Sequence, residues 1–255
     1  MPEYPRVILV SIMVEAFMWG LVAASSLVLG GLIVTVHRPN NLVLGLVMGF
    51  GAGVLLSAVS FELVEEAANI SHGGGGTALG FFTGAIVFLG GDQIISKMGY
   101  RDRKNIARTA QAASATAIVL GIVLDGIPES TVVGLTLLQS GEVGVAMLVA
   151  VFVSNVPESV AATTGLRAGG RSWQWLFTLW GGIAIVSGLA AGMGYALLDG
   201  AAPNVIAFVL SFAGGAILAM LSTTMMPEAY ENAKREVGLA TTIGFAVAFA
   251  LHVAQ

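Results

Sequence analysis

Leu124-Asp125-Gly126-Ile127-Pro128-Glu129-Ser130 returns twenty-nine positions later as Val153-Ser154-Asn155-Val156-Pro157-Glu158-Ser159. Both stretches lie inside long apolar runs and read as membrane helix with carboxylates near the middle. A charge at the bilayer centre costs about 2.5–3.5 kcal/mol on insertion scales, so such residues face a bundle interior or a water-filled cavity. Asp125 and Glu129 are four apart, as are Ser154 and Glu158, and Asn155 stands three before Glu158. Each set therefore shares one helix face. Pro128 and Pro157 cannot donate to residue i−4 and crowd its carbonyl. The oxygens of Leu124 and Val153 are thus expected to be freed, which lipid tolerates only where backbone is buried in protein or lines a cavity. Three acids at this depth need a cation, and the freed carbonyls are a second kind of ligand.

Each piece has a plainer reading. A proline in a membrane helix can be only a kink, and one acid beside it can pair with a neighbour. The duplication weighs against coincidence: x-Pro-Glu-Ser occurs twice, each time with polar residues one turn before the Glu.

Composition sets the solvent. Of 255 residues 56% are apolar and 10% charged, against about 25% charged in soluble domains, and the mean hydropathy is +0.88. The chain has no cysteine, which excludes disulfides and thiolate metal sites. A net charge of −4 gives no footing for nucleic acid. The three histidines, His37, His72 and His252, fall outside the expected helix centres, so a metal site would be built mostly of oxygen. The N-terminal run is expected to be a retained span and not a cleaved signal. Glu15 interrupts it, no basic region precedes it, and it is too long.

Breaks at Gly, Pro and charge clusters predict eight spans, near 8–34, 42–64, 77–98, 112–138, 143–166, 173–198, 204–227 and 237–254. The fold class expected is an all-α membrane bundle, one transmembrane domain over 1–255. Loops after spans one, three, five and seven hold Arg38; Lys97, Arg101, Arg103, Lys104 and Arg108; Arg167 and Arg171; Lys234 and Arg235. These are ten of the eleven Lys and Arg residues, leaving Arg6. The positive-inside rule makes those loops cytoplasmic and puts both termini outside. The expected location is the cell membrane.

Other polar residues have bland first readings. Glu15 faces a pore or pairs locally. Glu62, Glu65 and Glu66 close span two as solvated helix-end charge, or with His72 gather cations at an entrance. Asp92 is expected to pair with a base near the cytoplasmic face, and the loop at 99–108 is a topology anchor.

Span seven repeats span two at an offset of 162: Phe50-Gly51-Ala52-Gly53 meets Phe212-Ala213-Gly214-Gly215, Ser60 meets Ser222, and Glu66-Ala67 meets Glu228-Ala229. Spans three and eight both open on Gly-Phe, at Gly80-Phe81 and Gly244-Phe245. A repeat of three spans separated by two is inverted across the membrane, a 3+2+3 arrangement known from transporters.

With these motifs the chain resembles the ZIP family of divalent-metal transporters, in particular its prokaryotic branch. The likeness runs over nearly the whole chain, from Gly51-Ala52-Gly53 into Glu65-Glu66-Ala67, through Gly80-Phe81 to Asp92 and the paired Pro-Glu motifs, to Met226-Pro227-Glu228-Ala229. The resemblance implies a metal site formed by Asp125, Glu129, Ser154 and Glu158, with Asn155 where some relatives ligate a second ion. It also implies a homodimer, uptake into the cytoplasm, and movement of spans one, four, five and six against two, three, seven and eight. The chain departs from the family pattern His-Asn-x-Pro-Glu-Gly in having Asp125 and Gly126 at its head. Span six lacks the Glu that would complete a second site, and the histidine-rich loop is missing. One site, not two, is expected, served by no resident cofactor.

Asp in place of His moves the donors toward hard oxygen, which favours ions such as Mn2+ or Fe2+ alongside Zn2+. Three carboxylates exceed a divalent charge by one, so binding is expected to release a proton and to precede alternating access. Other classes stay open: a proton-coupled small-solute carrier using Glu129 and Glu158 as a relay, an intramembrane aspartyl protease using Asp92 and Asp125, and a sensor that binds metal without moving it. Of these, non-enzymatic transport is the expectation.

Overall fold

The structure, a computed structural model, describes residues 6–37, 39–72, 75–97 and 115–254. All regular elements among the described residues are helical. Eight helices are long and apolar enough to cross a membrane: α1 (Arg6–Val36), α2 (Asn41–Ile70), α3 (Gly75–Ile95), α4 (Ala115–Ser140), α5 (Val145–Ala168), α6 (Trp173–Leu198), α7 (Pro203–Ala233) and α8 (Glu236–Val253). This is the multi-pass membrane architecture that hydropathy predicts. Of the basic residues used to orient it, Arg38, Arg101, Arg103, Lys104 and Arg108 lie outside the described residues.

Helices α2 and α7 run six residues past the ends expected for them, 64 and 227. Their terminal Glu clusters look like solvent boundaries by hydropathy, but Glu is a good helix former and the backbone continues through it. Both helices also loosen into a π-helical segment, Val59–Val64 in α2 and Leu221–Met225 in α7. The two segments begin 162 positions apart, the offset of the sequence repeat. No pattern in the sequence announces a π segment.

Two groups of helices emerge from the packing. In one, α1 lies along α6 and α5, and α4 along α6; in the other, α3 lies along α7 and α2 along α8 and the end of α7. The main contact between them is α2 against α5. Small residues make the close crossings. A Cβ on Gly244 would overlap the Phe50 carbonyl, and one on Gly53 the Thr241 carbonyl, where α2 crosses α8. A Cβ on Gly84 would overlap the Phe212 carbonyl, and one on Gly215 the Phe81 carbonyl, where α7 crosses α3. Phe50 and Phe212, and Gly53 and Gly215, are the repeat partners read from the sequence, so one device builds both crossings. A shared core fills the space between, with Met48, Leu55 and Leu63 of α2 meeting Leu135 of α4, Met147 of α5, and Leu210, Met220 and Met225 of α7.

Helix starts follow local chemistry. Asn40 caps α2 by accepting the Val43 N–H at 2.8 Å, and Ser172 caps α6 by accepting the Trp175 N–H at 3.2 Å. The α5–α6 turn is fixed by Arg167 over the Trp173 ring and Arg171 over the Trp175 ring, contacts characteristic of the interfacial zone. Deeper in, Trp180 of α6 donates its indole N–H to Thr163 of α5 at 3.0 Å, with both side chains fully buried. Thr163→Val leaves that N–H without its acceptor and is expected to destabilise the protein by about 1 kcal/mol, typical of interhelical hydrogen bonds in membranes. Thermal unfolding in detergent reads this as a lowered midpoint; an unchanged midpoint would mean the indole has found another acceptor.

Candidate functional site

The two proline motifs occupy the middles of α4 and α5, and both helices continue through Pro128 and Pro157. The polar residues around them turn inward. Asp125 is 5% exposed and Glu129 1%, Ser154 is fully buried and Asn155 6% exposed, and Glu158 is half-buried. Glu129 is within electrostatic reach of both Glu158 and Asp125. Asp125 and Glu129 of α4 are thus buried, and Glu158 of α5 is near enough to Glu129 to act on it electrostatically.

Backbone proximity explains how α5 is seated. Gly51 of α2 faces Ser154 so closely that a Cβ there would lie 3.2 Å from its Cα. On the other side, Gly30 of α1 faces the Val156 carbonyl, which a Cβ would approach to 2.6 Å. Two glycines on two helices thus bring α5 against both packing groups at the level of its polar face. The Ser154 hydroxyl donates to the Val151 carbonyl at 3.0 Å, and Ser159 does the same to Val156 at 2.9 Å. Each hydroxyl keeps acceptor capacity while its proton is held by the helix.

Electrostatic proximity is not coordination. Among the described residues, no three His, Cys, Asp or Glu side chains gather closely enough to hold a metal ion. Glu129 feels the charge of both Glu158 and Asp125, and the three do not form such a group. The arrangement can stabilise a cation or hold a shared proton, since either relieves like-charge repulsion in a low-dielectric setting.

The other sequence candidates separate. Glu15 is exposed on α1. Glu65 and His72 are exposed, as the solvated helix-end reading expects, and Glu66 is half-buried. Glu228 is half-buried, and its backbone carbonyl accepts the Asn232 side-chain N–H at 2.9 Å. Asp92 is half-buried near the end of α3, and Gly91 beside it packs on Leu124, the residue preceding Asp125. The loop bases expected to meet Asp92, Arg101 to Arg108, lie outside the described residues.

Glu62 departs from its first reading. Both its carboxylate oxygens are shut off from solvent and have no hydrogen-bond partner among the described residues. Its place inside the π segment of α2 turns it into the protein rather than outward. The sequence gives no sign of this, because Glu62 reads as one of three acids at a helix end.

No family model matches the chain, and no curated protein matches it.

Proposed function

We propose that this chain is a divalent-metal transporter of the ZIP kind, carrying Zn2+, Mn2+ or Fe2+ into the cytoplasm by alternating access. The observation that carries the reading is the pair of proline-containing helices in which buried Glu129 lies within electrostatic reach of both buried Asp125 and half-buried Glu158. In this reading a divalent cation offsets that repulsion, drawing Glu129 and Glu158 together with Asp125, Ser154 and Asn155 as the ligand set. The repeat of α2 in α7, with matching π segments and glycine crossings, supports an inverted-repeat transporter, and the basic loops read from the sequence support both termini lying outside. The α1, α4, α5, α6 group would move against the other four helices, and the transporter would work as a homodimer.

One observation favours a second reading. The acids do not converge as a ligand cluster, which suits a proton-coupled carrier of a small solute whose carboxylates relay protons. Proteoliposomes separate the two. Divalent uptake with Zn2+, Mn2+ and Fe2+ tested in turn is expected, together with thermal stabilisation by the same ions, about 2.7 kcal/mol when metal stands at a hundred times its Kd. Neither uptake nor stabilisation by any divalent ion leaves the solute carrier in possession of the site. Asp125→His is expected to shift preference toward Zn2+ by about tenfold over Mn2+, since imidazole suits zinc and carboxylate suits manganese. An unaltered Zn2+/Mn2+ uptake ratio would remove Asp125 from the ligand set.

A further inference from the structure

Helix α5 carries Ser154, Asn155 and Glu158, yet its N-terminus has no cap of its own. The residue before it, Gly144, offers no side chain, and its N–H is given to Thr136 of α4 at 3.0 Å. The first N–H groups of a helix have no partner within it, and an Asp, Asn, Ser or Thr side chain at the cap accepts from the second or third of them. Here that place is taken from another helix. The Glu62 Oε2 atom stands 3.0 Å from where a Cβ on Gly144 would be. The backbone N–H turned toward the carboxylate is that of Met147, the third residue of α5, at a geometry short of a closed hydrogen bond. A carboxylate is the group the positive end of a helix favours.

Glu62 belongs to α2 and Met147 to α5, the two helices that make the main contact between the packing groups. We propose that Glu62 is the N-terminal cap of α5, supplied by α2, and that this contact holds the two helix groups shut at the end where α5 begins. The geometry assigns Glu62 a positioning role: it fixes the start of a polar helix and closes the α2–α5 boundary above it. Its place in the π segment gives a reason for that irregularity, since an extra residue in one turn re-aims the side chains within it. The inference holds whichever substrate the bundle carries.

The absence of native cysteine makes a clean test available. Ala150 of α5 is fully buried in the core shared with α2, one turn beyond Met147, whereas Ala24 is buried in a separate cluster formed by α1, α4 and α6. Ala150→Cys and Ala24→Cys serve as reporters, each labelled with a charged, water-soluble maleimide in proteoliposomes. Glu62→Ala is expected to raise the Ala150→Cys labelling rate at least fivefold and leave Ala24→Cys unchanged. Glu62→Gln, which keeps shape and an acceptor oxygen but loses the charge, is expected to fall between, and carries the test if the alanine variant does not fold. Unchanged labelling of Ala150→Cys in both variants overturns the inference. So does a parallel rise at both reporters, which would mean general loosening instead of release at one boundary.

Discussion

Glu129→Gln is expected to abolish metal-dependent transport, lowering uptake at least a hundredfold, while leaving the metal-free protein as stable as the parent or more so. The two halves of this result share one cause. Glu129 is 1% exposed with Glu158 and Asp125 as charged neighbours, so in the absence of a cation its charge is a liability. Replacing Glu129 by a neutral group of similar volume removes like-charge repulsion and desolvation cost, and is expected to be neutral or stabilising by on the order of 1 kcal/mol. In the proposed transporter the same charge becomes a ligand when a cation is present. Loss of an outer-shell partner alone typically lowers metal affinity about 10- to 100-fold, and loss of a ligand more. Opposite signs in two measurements, a raised unfolding midpoint without metal and a vanished metal-induced shift, separate a site residue from a structural one. Glu158→Gln is expected to behave alike, and the double variant to be little worse than either, since residues of one site are not additive. A Glu129→Gln protein that still takes up metal at the parental rate removes α4 from the transport path.

Gly84→Leu is expected to yield no folded protein, and Gly84→Ala a severely destabilised one. At Gly84 even a Cβ would overlap the Phe212 carbonyl, and the obstruction is backbone, which cannot swing aside as a flexible side chain does. The α3–α7 crossing would have to open along its length. Overpacking in a core commonly costs about 1–3 kcal/mol, and a backbone clash belongs above that range. Gly90 of the same helix has open space where its Cβ would go. Gly90→Ala is therefore expected to be neutral or slightly stabilising, by up to about 1 kcal/mol, through helix propensity alone. Unfolding of both variants in one detergent compares them directly; equal midpoints would mean that the crossing relaxes without cost.

The eight spans were legible because hydropathy over about 20 residues is a strong signal, and the inward turn of Asp125, Glu129, Ser154 and Asn155 followed from helical spacing and the cost of charge in lipid. The duplicated Pro-Glu motif pointed to Glu129 and Glu158, which the structure brings within electrostatic reach of each other. Three features were not legible. The extension of α2 and α7 was hidden because Glu ends a hydrophobic run without ending a helix. The π segments leave no periodic trace in five or six residues. Glu62 is the same residue type as Glu65 and Glu66, and only its nearness to Gly144 and Met147, 82 and 85 residues on in the chain, sets it apart.

The matched π segments also bear on ancestry. Each is an α-helix carrying one surplus residue in a turn, and both sit at the same register of the repeat. In any history where spans one to three and six to eight arose by copying one unit, that insertion was already fixed in the single ancestral copy. It is then older than the eight-helix protein itself, and was kept in both descendants while nearly all the side chains around it diverged.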